Sequence, residues 1–132
     1  MRDFENMEKK YNYKDLDVYK EAKKLVLNVY VLLRAFPKEE TYALCDQLRR
    51  AVISIPSNIA EGMGRMSTKE QIHFLEIAYG SLREVDCQLD IAKELGYISG
   101  EIVDETEEQL NKVAALIAGL RNQRSSTLTP KH

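Results

Sequence analysis

Apolar side chains recur along this chain in alternating steps of three and four, the repeat that lays them along one side of an α-helix. Between Leu16 and Phe36 they fall at Val18, Ala22, Leu25, Val29, Leu32 and Phe36, with Tyr19, Val26, Tyr30 and Leu33 widening the stripe. Asp15 stands where an N-cap belongs, and Pro37 ends the run by excluding helical backbone at the residue before it. A later seam runs through Leu75, Ala78, Leu82, Val85, Leu89 and Ala92. Ser67 and Glu70 have the spacing of a capping box before it, and Gly96 has the place of a left-handed cap after it. Gly80 and Ser81 lower helix propensity there, but with Ala78 they are small enough to let a neighbouring helix come close. The last seam is Val103, Thr106, Leu110, Val113, Ile117 and Leu120, with Ser99 as its N-cap.

The stretch AVISIPSNIAEGMGR, residues 51–65, sets a proline inside a pattern of the same kind. Leu44, Leu48, Val52, Ile55 and Ile59 keep their phase across Pro56, which a loop would rarely preserve. A proline in a straight helix costs about 3 kcal/mol, because the carbonyl four residues back loses its donor and meets the ring. A bend relieves the clash, and the Ser54 or Ser57 hydroxyl can serve freed backbone groups. The pattern therefore predicts one helix kinked at Pro56 and ended by Gly62 and Gly64. Four single-striped helices joined by short links predict an all-α, antiparallel up-down-up-down four-helix bundle over residues 15–122. Residues 1–14 form an N-terminal extension, and the polar, aperiodic residues 123–132 are expected to be a disordered tail.

Composition narrows the function classes. The 132 residues are enough for one domain with one core. The net charge of −2 gives the whole chain no electrostatic match for nucleic acid. Residues 1–66 hold 12 Lys and Arg against 10 Asp and Glu, and residues 67–132 hold 7 against 11, so any basic face is local. The longest apolar run, residues 25–33, is too short to span a bilayer, and the charged N-terminus does not look like a signal peptide. Cys45 and Cys87 have neither metal nor redox spacing and read as reduced thiols of a cytoplasmic protein.

Enzymatic chemistry finds little support. Glu70-x-x-His73 is half of the ligand pattern of di-iron carboxylate bundles, but His132 is the only other histidine. His73 also lies off the apolar seam, so no metal or cofactor is expected. The acids Asp104, Glu105, Glu107 and Glu108 complement the dipole at the start of the last helix. The set around Pro56 is less easily dismissed. Arg49, Arg50 and Arg65 have the chemistry to meet phosphates or carboxylates, and Asn58 and Glu61 accompany them. The competing reading is that Asn58 and Glu61 serve backbone and side-chain groups near the proline.

FPKEETYALCDQLRRAVISIPSNIAEGMGR and STKEQIHFLEIAYGSLREVDCQLDIAKELGYI closely resemble the bacterial four-helix bundle family that includes proteins encoded in intervening sequences of large-subunit rRNA. The resemblance covers residues 15 to about 120, with SIPSNIAEG and IAYGSLREVD as its most specific segments. It implies a compact antiparallel bundle that assembles into a ring, commonly a homopentamer, without enzymatic activity. Related accessory proteins of diversity-generating retroelements bind nucleic acid and a reverse transcriptase through basic surfaces, from which this acidic chain departs. Two functions follow as expectations. One is an oligomeric adaptor that contacts RNA or DNA weakly, or an enzyme acting on them, through Arg49, Arg50 and Arg65. The other is a self-assembling scaffold with no nucleic-acid role. Apolar side chains beyond one seam, Tyr19, Val26, Tyr30 and Leu33 and then Phe74, Ile77 and Ile91, favour assembly in either case.

Overall fold

The computed structural model describes residues 12–128. Four helices carry the fold: α1 (Asp17–Leu33), α2 (Leu44–Met63), α3 (Thr68–Glu94) and α4 (Gly100–Ser126). Single 3-10 turns at Tyr13–Asp15 and Lys38–Glu40 precede α1 and α2, and there is no strand among the described residues. The expected extension before residue 12 and the end of the tail lie outside those residues.

Side-chain pairs fix how neighbouring helices run. Gln47 pairs with Gln88, Ser54 with Ser81, and Gly62 abuts Phe74, so numbers rise along α2 as they fall along α3. Glu76 meets Arg121 near one end of α3, and the Lys93 side chain reaches Gly100 at the other. Asn28 with Gln109 and Glu21 with Lys112 give α1 and α4 the same opposed sense. Each helix thus packs on two neighbours, and α1 does not pack on α3.

The core follows the apolar seams. Leu25, Leu48, Ile55, Ile59, Leu75, Leu89, Leu110 and Ile117 are fully buried. The end of α1 differs from expectation: Leu33 is buried, whereas Leu32 is half-buried beside Thr106. Both residues lie about equally far from the centre of the stripe, so period alone does not choose between them. Past Leu33 the chain tightens into bonds from Arg34 N–H to Val31 O and from Phe36 N–H to Leu33 O before Pro37.

Two caps match the sequence reading. Ser67 Oγ accepts from Glu70 N–H and Ser99 Oγ from Ile102 N–H. Gly96, at φ 79°, closes α3: its N–H bonds Lys93 O, and Tyr97 N–H bonds Ala92 O. Asp15, by contrast, is not the cap of α1. It sits in the preceding 3-10 turn, and extended Leu16 takes the cap position without a side-chain bond.

Helix α2 continues through Pro56, which is buried within it. Gly62 does not end α2 but lies inside it, buried against α3, and Gly64 is the C-cap. At the other end, Glu40 Oε2 accepts from Leu44 N–H, while Tyr97 donates its hydroxyl to Glu40 Oε1 at 3.0 Å. That bond raises the Tyr97 pKa, with burial adding to it. The phenol thus stays protonated and links the α1–α2 connection to the α3–α4 turn.

Residues 123–126, expected in a tail, continue α4. Their polarity does not stop the helix because this last turn finds partners: Arg124 reaches Met63 Sδ at 3.9 Å, and Thr127 Oγ1 donates to Arg124 O. Cys45 and Cys87 are unpaired; Cys45 is buried, which pushes its thiol pKa up, and Cys87 is exposed.

Candidate functional site

The polar residues around Pro56 belong mostly to the seam between α2 and α3. Ser54 and Ser81 share a hydroxyl–hydroxyl bond of 2.8 Å. Asn58 donates its amide to Ser54 Oγ and to Ser54 O, both at 2.8 Å. One turn of α2 is thereby bound to itself and to α3. Further along, Gln88 Nε2 donates to Gln47 Oε1 at 3.4 Å and to Glu84 Oε1 at 3.2 Å. Gln88 Oε1 is buried without a protein partner. Asn58 is therefore used within the fold, as its structural reading held.

The arginines do not form one patch. Arg49 donates to Thr41 O and stands 3.6 Å from Asp46, and Arg50 reaches the same carboxylate at 3.5 Å. Arg65 bonds Glu61 at 2.6 Å, and its guanidinium lies over the Phe74 ring with 4.9 Å to the centroid. At 1.5 Å per residue, Arg49 and Arg65 sit roughly 24 Å apart along the bundle. Arg50 remains largely in solvent, and exposed pairs of this kind hold their partners weakly. Glu61 and Arg65 are brought together; Arg49 and Arg50 are brought together through Asp46; the two groups stay apart.

Sequence reasoning did not assign Ser81, Gln88 or Phe74 to α2: it gave Ser81 only a small-residue role and placed Phe74 outside the bundle, whereas Phe74 is half-buried against Gly62. A signal existed: Gln47, Ser54 and Glu61 are spaced by seven, and so are Phe74, Ser81 and Gln88. Such repeats put each set on one flank of its helix.

Two open grooves lie on the described surface. One, of about 390 Å³, lies between α3 and α4 beside Leu75, Tyr79, Gly80, Ile117 and the Glu76–Arg121 pair. The other, of about 320 Å³, lies between α1 and α4 beside Asn28, Val31, Ile102 and Gln109. In the second, the Thr106 hydroxyl beside Glu105 donates to Ile102 O within α4. Among the described residues no three of His, Cys, Asp or Glu are grouped to hold a metal ion, and no helix is long and apolar enough to cross a membrane. His73 is exposed and stacks edgewise on Phe74.

Comparison with known proteins agrees with this architecture. A crystal structure of a protein of unknown function from the S23 ribosomal protein family of Bacteroides thetaiotaomicron superposes with a TM-score of 0.74. It is 20% identical, and the match covers 80% of this chain and 95% of that one, which establishes a shared fold. No curated protein matches this chain. The family model described as 23S rRNA-intervening sequence protein matches residues 14–119, the whole of α1 to α3 and most of α4. On that match, the chain belongs to the 23S rRNA-intervening sequence protein family.

Proposed function

We propose that this chain is a non-enzymatic, cytoplasmic helical bundle that works by assembly. Its copies associate, most simply as a homopentamer, and the assembly serves as an adaptor for RNA, DNA or an enzyme that acts on them. The observation that carries this reading is the apolar surface left outside the bundle. Leu27 is 61% exposed and Val31 56% on α1, with Leu95 54% and Ile91 46% on α3. Folding of a single copy leaves about half of each in solvent, and exposed apolar surface of this kind marks interaction sites. Contacts from Arg49, Arg50 and Arg65, each weak, would be repeated around an assembly and gain by avidity.

A second reading, a scaffold that meets only its own copies, is favoured by the α2 carboxylates, Asp46 and Glu61, that all three arginines already have as partners. Light scattering after size exclusion, at tens of micromolar chain, tests the shared part. A mass several times 15.2 kDa is expected, and a monomer removes both readings. Titration with single-stranded RNA then separates them. Weak binding that falls steeply with salt and disappears when Arg49, Arg50 and Arg65 are reversed supports the adaptor; no binding leaves the scaffold.

A further inference from the structure

The outward faces of α1 and α3 look in opposite directions, because each helix packs on α2 and α4 and neither on the other. On α1 the outward positions hold Lys20, Lys23 and Arg34, all exposed, with exposed Leu27 and Val31 between them. Of the two acids of α1, Glu21 is turned inward and held by Lys24 and Lys112, both at 3.3 Å, which leaves Asp17 in the first turn as its one exposed acid against Lys20, Lys23 and Arg34. That face is therefore apolar at its centre and basic at its ends. On α3 the exposed Ile91 and Leu95 lie among the exposed acids Glu84, Asp90 and Glu94. The exposed cations near them are Arg83 and Lys93, the latter passing beside Gly100 of α4, so the acids outnumber them.

We propose that these faces are the two halves of one interface, with α1 of one copy docking on α3 of the next. Leu27 and Val31 meet Ile91 and Leu95, and Lys20, Lys23 and Arg34 meet the acids beside them. The inference rests on the self-association proposed above and adds its mode. An α1–α1 or α3–α3 contact sets like charges against each other, whereas the mixed contact pairs opposite ones. A contact between unlike faces is heterologous: every copy offers one of each, and assembly proceeds until the rotation closes a ring.

Two exposed-surface variants test it. One is Lys20→Glu/Lys23→Glu/Arg34→Glu, and the other is Asp90→Lys/Glu94→Lys. Glu84 is left in place because it accepts from Gln88. Wild type should run at several times 15.2 kDa, each variant alone should fall to the single-chain mass, and their equimolar mixture should regain the larger mass. Helical circular dichroism reports whether each variant is folded. A wild-type monomer overturns this inference together with the self-association it rests on. Assembled mass retained by either folded variant alone, or a mixture that stays monomeric, overturns the α1–α3 mode and leaves self-association standing. A charge-independent check mixes a Lys23→Cys/Cys87→Ser chain with the native chain, whose Cys87 is exposed on α3. A short bismaleimide should join position 23 of one chain to Cys87 of the other, and failure to find that crosslinked peptide overturns the mode even if a charge variant does not fold.

Discussion

Gly62 shows how one hydrogen atom sets a helix–helix distance. A Cβ there would stand 2.8 Å from Phe74 Cβ and 3.3 Å from Gln71 O, and neither is the free end of a flexible side chain. Replacing Gly62 with Ala should therefore force α2 and α3 apart and lower stability by about 1–3 kcal/mol. Gly119 is the control. It is exposed within α4 and a Cβ there meets nothing within 4 Å, so Gly119→Ala should raise stability by about 0.5–1 kcal/mol. Urea midpoints measure both, and a Gly62→Ala midpoint equal to or above wild type would show that the Phe74 contact does not limit the packing. This role was not legible in the sequence. Gly62 and Gly64 together look like a helix stop, and only the position of Phe74 on another helix distinguishes packing from termination. Gly80 failed in the opposite sense: it looks like a close-approach residue, yet it faces open space.

Helix α2 keeps its course through a buried proline, and the apolar phase on both sides of Pro56 was enough to foresee that continuity. The clash between the ring and the preceding turn predicts a bend, which Pro56→Ala should relax while the bundle stays folded. Comparing the α2 axes of the two proteins by crystallography measures this; identical axes would mean that packing against α1 and α3, rather than the proline, shapes the helix. The candidate site was legible only in part. Glu61 and Arg65 are four residues apart and meet, although Arg65 lies just past the end of α2. Arg49 and Arg65 look close in the written sequence, but the rise of a helix carries them to opposite ends. The seven-residue spacings of Gln47, Ser54 and Glu61 and of Phe74, Ser81 and Gln88 were visible, but matching one helix to the other needs the topology.

For the molecule as a whole, Glu21 ties the first helix to the last. Burial alone would raise its pKa, but hydrogen bonds and charge from Lys24 and Lys112 outweigh that and hold the carboxyl below its ordinary 4.5. A group whose folded pKa is depressed stabilises the fold above its unfolded pKa and loses that contribution as pH falls through the folded value. Glu21→Gln should therefore be less stable than wild type above about pH 5.5, and the gap should close in more acid solution. Urea titrations across that range decide it, and a gap that does not change with pH would show that the ion pairs carry no net stability. The connectivity has a kinetic consequence. Each helix pairs with the next along the chain, with α2 on α3 the most extensive contact, whereas α1 completes its packing on α4 only by closing nearly the whole domain. Loop-closure entropy makes that last contact the dearest to form early. The α2–α3 hairpin should thus be the folding nucleus, with α1 docking after the barrier. Stopped-flow measurements should then find that Val85→Ala slows folding, whereas Val29→Ala leaves the folding rate nearly unchanged and speeds unfolding. The helix offered outward with its basic, apolar face would be the last to settle and the first to let go.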